Sequence, residues 1–163
     1  MDNIKNSNIL FCIIVFTIII GGCKKDGNSQ IDDELKTINV NGVTREFILY
    51  IPSTYDSIDT VPLMLNFHGW TMSASDQMNL SDMRTLSESE KFILVYPQGT
   101  KFKNRFYGST HWNVGSWTTG STSDDIGFVD KLIDNMSVNY NIDLERIYAC
   151  GYSNGGFFSH ELA

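Results

Sequence analysis

Cysteine, histidine, proline and positive charge are all scarce in this chain. Its 163 residues include three Cys, three His and three Pro, and 12 Lys and Arg stand against 19 Asp and Glu. The formal net charge of −7 argues against a nucleic-acid partner, which needs clustered cations. His68, His111 and His160 and the three cysteines lack ligand spacing, so no metal centre is expected. No phosphate loop or dinucleotide fingerprint occurs, and no cofactor is implied. Internal repeats and low-complexity tracts are absent too. Cys12, Cys23 and Cys150 make no plausible disulfide framework. Cys150 sits in an apolar run and reads as a small buried hydrophobe. No apolar run reaches the length of a membrane span. The longest, ILFCIIVFTIII over residues 9–20, suits the core of a signal peptide instead.

That run ends in IGGC, with Cys23 after two glycines. It resembles the lipobox of bacterial lipoproteins, which are cleaved before the cysteine and acylated on it. Residues 1–22 are therefore expected to be a lipoprotein signal peptide and Cys23 the lipid attachment site. An uncleaved anchor or an ordinary secretory signal is the alternative. Either way the protein is expected to be exported: lipid-anchored to the bacterial cell envelope, or extracellular. Residues 23–36 are polar, without aromatics, and read as a flexible tether to the membrane.

What is present begins at Thr37. TINV and VTREFILYI flank Asn41-Gly42, a strong hairpin signal. VPLMLNF, residues 61–67, and KFILVYP, residues 91–97, are continuous apolar runs, as in strands buried on both faces. Residues 73–91 allow a modest helix. Residues 98–123, rich in Gly, Ser, Thr and aromatics, show no period and read as one long loop. The clearest helix follows. Val129, Leu132, Ile133, Met136 and Tyr140 keep helical spacing, with Ser123 as the cap and Asp124 and Asp125 at the positive end of the dipole. RIYAC, residues 146–150, is a short strand, and FFSHELA opens another helix. Strand alternating with helix implies an α/β fold with a mostly parallel sheet.

The chemistry centres on Gly151-Tyr152-Ser153-Asn154-Gly155, which matches G-x-S-x-G. A chance match arises in roughly one chain in twenty of this length. Here a β-type run precedes it and a helical segment follows, which is the context of a nucleophile elbow. Such an elbow lifts the serine hydroxyl above the sheet, at a helix N-terminus that favours negative charge. Ser153 is the expected nucleophile. The N–H of Asn154 and an N–H after the strand that ends in His68-Gly69-Trp70 are the expected oxyanion donors, Trp70 before Gly69.

VPLMLNFHGW, KFILVYPQG, Trp112-Asn113, Asp124-Asp125-Ile126-Gly127-Phe128 and YNIDLERIYACGYSNGG together resemble the polyhydroxybutyrate depolymerase, feruloyl esterase and acetylxylan esterase group of α/β-hydrolases. The resemblance covers residues 37–163. It implies an exported serine esterase acting through an acyl-enzyme on polysaccharide-linked feruloyl or acetyl esters or on a polyester. It places His68 behind the oxyanion loop, and the Asp124-Asp125 pair as the start of a helix.

The triad order of this fold is Ser, then an acid, then His. After Ser153 only His160 and Glu161 remain, on what reads as the same helix. His111, in the long loop, has no evident partner. Residues 37–163 are therefore expected to be the N-terminal part of a hydrolase domain, truncated after the elbow and poorly active alone. Two alternatives stand: a non-catalytic, surface-anchored carbohydrate-binding lipoprotein whose Trp and Tyr of residues 106–117 stack on sugars, and a serine peptidase.

Overall fold

The computed structural model describes residues 35–102 and 109–163. The expected signal peptide, Cys23 and the tether as far as residue 34 lie outside the described residues. Among the described residues no helix is long and apolar enough to cross a membrane.

Two strands, β1 (Lys36–Val40) and β2 (Val43–Tyr50), form the antiparallel hairpin expected from Asn41-Gly42. Both turn residues take positive φ, +52° at Asn41 and +84° at Gly42, which these two residue types tolerate best. β3 (Val61–Phe67), β4 (Ile93–Pro97) and β7 (Ile142–Gly151) complete a five-stranded sheet in the order β1-β2-β4-β3-β7. β3 pairs parallel with both β4 and β7, and β2 runs antiparallel to β4.

Alternation along the strands sorts the side chains into two layers. Phe47, Leu49, Leu63, Leu65, Phe67, Ile93 and Val95 pack against helices α3 (Asp125–Asn139) and α4 (Asn154–Glu161). Ile48, Tyr50, Leu94 and Tyr96 pack on the other face with Ala74 and Met78. β3 and β4 are covered on both faces, as their unbroken apolar runs imply.

The single helix expected over residues 73–91 is two, α1 (Ala74–Leu80) and α2 (Arg84–Glu90). Ser73 and Asp76 form a capping box at the start of α1. The buried Tyr96 phenol holds the break. Its oxygen accepts from Met83 N at 3.0 Å and donates to the Ser81 carbonyl at 2.9 Å. The Ser81 carbonyl also accepts a longer bond from Asn66 Nδ2 at 3.4 Å, whereas Met83 N precedes α2 and has no partner one turn earlier in that helix.

β7 is twice the length expected and begins at Ile142. Its register against β3 shifts between Val61 and Leu63, where Pro62 has no N–H to give the ladder. Nor are residues 98–123 one structureless loop. β5 (Thr100–Lys101) and β6 (Thr110–His111) pair as a small ribbon, and a 3₁₀ turn spans Gly115–Thr118.

Helix α3 is capped by Asp124, not Ser123. The Asp124 carboxylate accepts from Gly127 N at 2.9 Å. Asp125 is the acid of the first turn, as expected, and has a second role. It is buried, accepts from Arg45 Nη2 at 2.7 Å, and receives the Ser123 hydroxyl and the Asn113 N–H. The Arg45 guanidinium lies 4.0 Å over the Phe128 ring. Removing one partner from a buried pair of this kind typically costs about 3–5 kcal/mol, because a charge is left unpaired.

Candidate functional site

The elbow is built where β7 ends beside β3. Tyr152 N donates to the Phe67 carbonyl at 3.0 Å, carrying the β3–β7 ladder one residue past the strand. The chain then reverses into α4. Gly155 N donates to Tyr152 O at 2.9 Å and Phe157 N to Ser153 O at 3.0 Å. Ser153, between them, has φ +49° and ψ −114°. A non-glycine residue occupies that region only when its surroundings force it, at a cost of about 1–3 kcal/mol.

The small residues of the motif have a steric reason. A Cβ on Gly151 would stand 2.6 Å from the carbonyl carbon of Gly155. One on Gly155 would lie 2.6 Å from the His68 carbonyl oxygen and closer still to that of Phe67. Helix α4 therefore starts in contact with the end of β3. Gly69 is confined as well, since a Cβ there would meet the Tyr152 ring at 2.9 Å.

Ser153 is exposed, and its hydroxyl makes no cap to its own helix and no hydrogen bond among the described residues. Asn154 is the first residue of α4, so its N–H has no carbonyl one turn earlier in the helix. The dipole adds positive character at the same point. Beyond β3 the chain turns sharply. Met72 N donates to Gly69 O, Thr71 N donates to Thr110 O, and Thr71 takes φ +67°. Trp70 is half-buried and its ring meets Phe102 and His111 at 5.8 and 5.6 Å. The structure thus brings Gly69 against the residue before Ser153, with Trp70 and Asn154 on the flanking segments.

His68 lies behind this loop, as the resemblance implies. It is buried. Its Nδ1 donates to Gly69 O at 2.8 Å, and its Nε2 accepts from Gly99 N at 2.8 Å. Burial holds its pKa below the usual imidazole value, against the opposing Gly69 hydrogen bond and the charges of Asp125 and Asp76. A neutral ring satisfied on both nitrogens is a strut. His160 is exposed on α4, one helix with Ser153. His111 bonds Thr100 O and the Ser121 hydroxyl. All three histidines of the chain are thus placed, and none faces Ser153.

Two contributions had no expected role. The buried Asn154 side chain clasps Trp112: its Oδ1 accepts from Trp112 N at 2.7 Å and its Nδ2 donates to Trp112 O at 3.1 Å. Trp112 Nε1 donates to His68 O at 2.9 Å, and its ring stacks on Phe158 at 5.1 Å and meets Phe67 edge-on at 5.0 Å. Full burial of such a ring contributes upwards of about 2 kcal/mol. One indole therefore ties the end of β3, the ribbon segment and α4 together. The Trp112-Asn113 pair was its only trace in the sequence.

Outside the elbow, Trp117 stacks on Phe157 at 5.6 Å and 10°, with 77% and 53% of their surfaces exposed. Cys150 is half-buried rather than buried, and burial pushes its thiol pKa up, away from a reactive thiolate.

No family model matches the chain. It is 33% identical over 129 residues to a bifunctional acetylxylan esterase/xylanase of Neocallimastix patriciarum, a match covering 77% of this chain and 17% of that protein. It is 26% identical over 130 residues to poly(3-hydroxyalkanoate) depolymerase C of Paucimonas lemoignei, covering 80% of this chain and 30% of that one. Feruloyl esterases are also among its relatives. An acetyl xylan esterase structure from Aspergillus awamori superposes with a TM-score of 0.54 at 22% identity, covering 75% of this chain and 43% of the other. The chain spans less than a third of the length of the two sequence relatives it matches here. The chain thus has an α/β-hydrolase fold, and its homologues are acetylxylan esterases, feruloyl esterases and poly(3-hydroxyalkanoate) depolymerases.

Proposed function

We propose that the chain carries the nucleophile half of an exported serine esterase that cleaves carboxylic esters of a polysaccharide or a polyester. The observation that carries this is Ser153 itself: exposed, held at φ +49°, its hydroxyl unspent, at the start of a helix and beside the turn after β3. Its Oγ attacks the ester carbonyl, an acyl-enzyme forms, and water releases the acid. The N–H groups of Asn154 and Trp70 receive the oxyanion, Gly69 being the second choice in that loop. Each such donor is worth about 10² to 10³ in rate.

A serine without a base is a weak nucleophile near neutral pH. None of the three histidines faces Ser153, so no imidazole base serves it among the described residues. Residues 23–163 are expected to give negligible turnover of p-nitrophenyl acetate. Steady-state release of nitrophenol that disappears in Ser153→Ala would contradict this. Reading the gene beyond codon 163 tests the esterase assignment: an Asp followed by a His completes the set, and a stop codon leaves Ser153 inert.

One observation favours a second reading. The Trp117–Phe157 stack, one helical turn from Ser153, presents broad aromatic faces suited to sugar rings. A surface-anchored carbohydrate-binding protein would use it without any triad. Anchoring through Cys23 would appear as fatty-acid labelling that Cys23→Ala abolishes.

A further inference from the structure

Among the described residues one serine hydroxyl is hydrogen-bonded to a histidine, and it is not Ser153. The Ser121 hydroxyl and His111 Nε2 are 2.7 Å apart, and His111 Nδ1 is 3.0 Å from the Thr100 carbonyl oxygen. A carbonyl can only accept, so Nδ1 carries the proton and Nε2 is left as an acceptor for the Ser121 O–H. The Ser123 N–H, at 3.3 Å, donates to the same oxygen and fixes its second face. The arrangement is held by the ribbon, in which Thr100 and His111 are direct cross-strand partners. It is the hydroxyl–imidazole–acceptor order of a catalytic serine, with a neutral carbonyl where a carboxylate would stand.

The pair also has access. Ser121 and His111 line a cavity of about 450 Å³, walled by Val40, Val43 and Phe102 and edged by Lys101. None of its lining residues belongs to the elbow or to the turn after β3. The apolar walls suit a short acyl chain.

We propose that Ser121 is a second nucleophilic hydroxyl, activated by His111, that takes the acyl group of a small activated ester in this cavity. In the step, the Ser121 Oγ–carbonyl carbon bond forms and the bond from that carbon to the aryloxide breaks. The hydroxyl proton passes to Nε2 and from there to the departing aryloxide. No oxidant or cofactor enters. The inference is independent of any role of Ser153.

The full chain, treated briefly with p-nitrophenyl acetate and mapped by peptide mass spectrometry, tests it. Ser121 is expected to be acetylated about 10²-fold faster than the exposed Ser89 and Ser116, the usual worth of a positioned base. His111→Gln is expected to bring Ser121 down to their rate, and Ser121→Ala to remove the label from that peptide. Ser121 reacting no faster than Ser89 and Ser116 in the unmodified chain would overturn the proposal. So would a folded His111→Gln protein labelled at Ser121 at the original rate. If that variant does not fold, the comparison within the unmodified chain decides alone.

Discussion

A methyl group on Gly155 has nowhere to go: the carbonyl oxygens of Phe67 and His68 already occupy its space. Both are backbone atoms of a central strand and its exit, so neither can swing aside. Gly155→Ala is expected to destabilise the fold by about 1–3 kcal/mol, the range for overpacking a tight site. The midpoint of urea denaturation should fall accordingly, and an unchanged midpoint would mean that α4 is not seated on β3. The motif made this residue legible beforehand, because G-x-S-x-G requires close approach at its last position. Other residues left no such sign. Arg45 and Asp125 lie 80 positions apart, and nothing local in either segment marks a buried ion pair. Asp125 was legible as a first-turn acid because that is the commoner use of the residue. Its burial is decided by β2 and by the ribbon segment, which no window around position 125 contains.

At the scale of the element, the turn after β3 is braced by His68, whose ring spans from Gly69 O to Gly99 N. Burial depresses its folded pKa, so the unfolded chain takes up the proton first. The sign follows. The stabilisation is fully present above the ordinary imidazole value near 6.5 and is lost as pH falls through that value and then through the depressed one. Urea midpoints measured from pH 8 down to pH 5 should decline, above the range where carboxylates protonate. A His68→Gln protein should show a flatter profile over the same interval, and equal slopes would discount the brace. Periodicity and turn chemistry made β1 to β4, α3 and the elbow readable. The break between α1 and α2 was not, because Tyr96, which holds it open, comes from a strand thirteen or more residues later. The β5–β6 ribbon was unreadable for a related reason. Two-residue strands have no measurable period, and only tertiary partners reveal them.

For the whole molecule, the sheet order puts β7 at an edge, with no further strand beside it among the described residues. Leu144 and Tyr148 stand 62% and 50% exposed on this ten-residue strand. Long apolar edges recruit other strands. Residues 37–163 are expected to self-associate with rising concentration in sedimentation, and Leu144→Lys combined with Tyr148→Lys to reduce it. Equal association by the doubly substituted protein would place the contact elsewhere. Just past the end of β7 a smaller feature takes over, the side chain of Asn154. It grips the N–H and the C=O of one peptide neighbour, Trp112, and it directly follows Ser153 in the chain. The segment carrying Trp112 cannot lift away without breaking both bonds together, as a latch and its bolt move as one. Any shift of that segment is thereby transmitted to the backbone that aims the Ser153 hydroxyl.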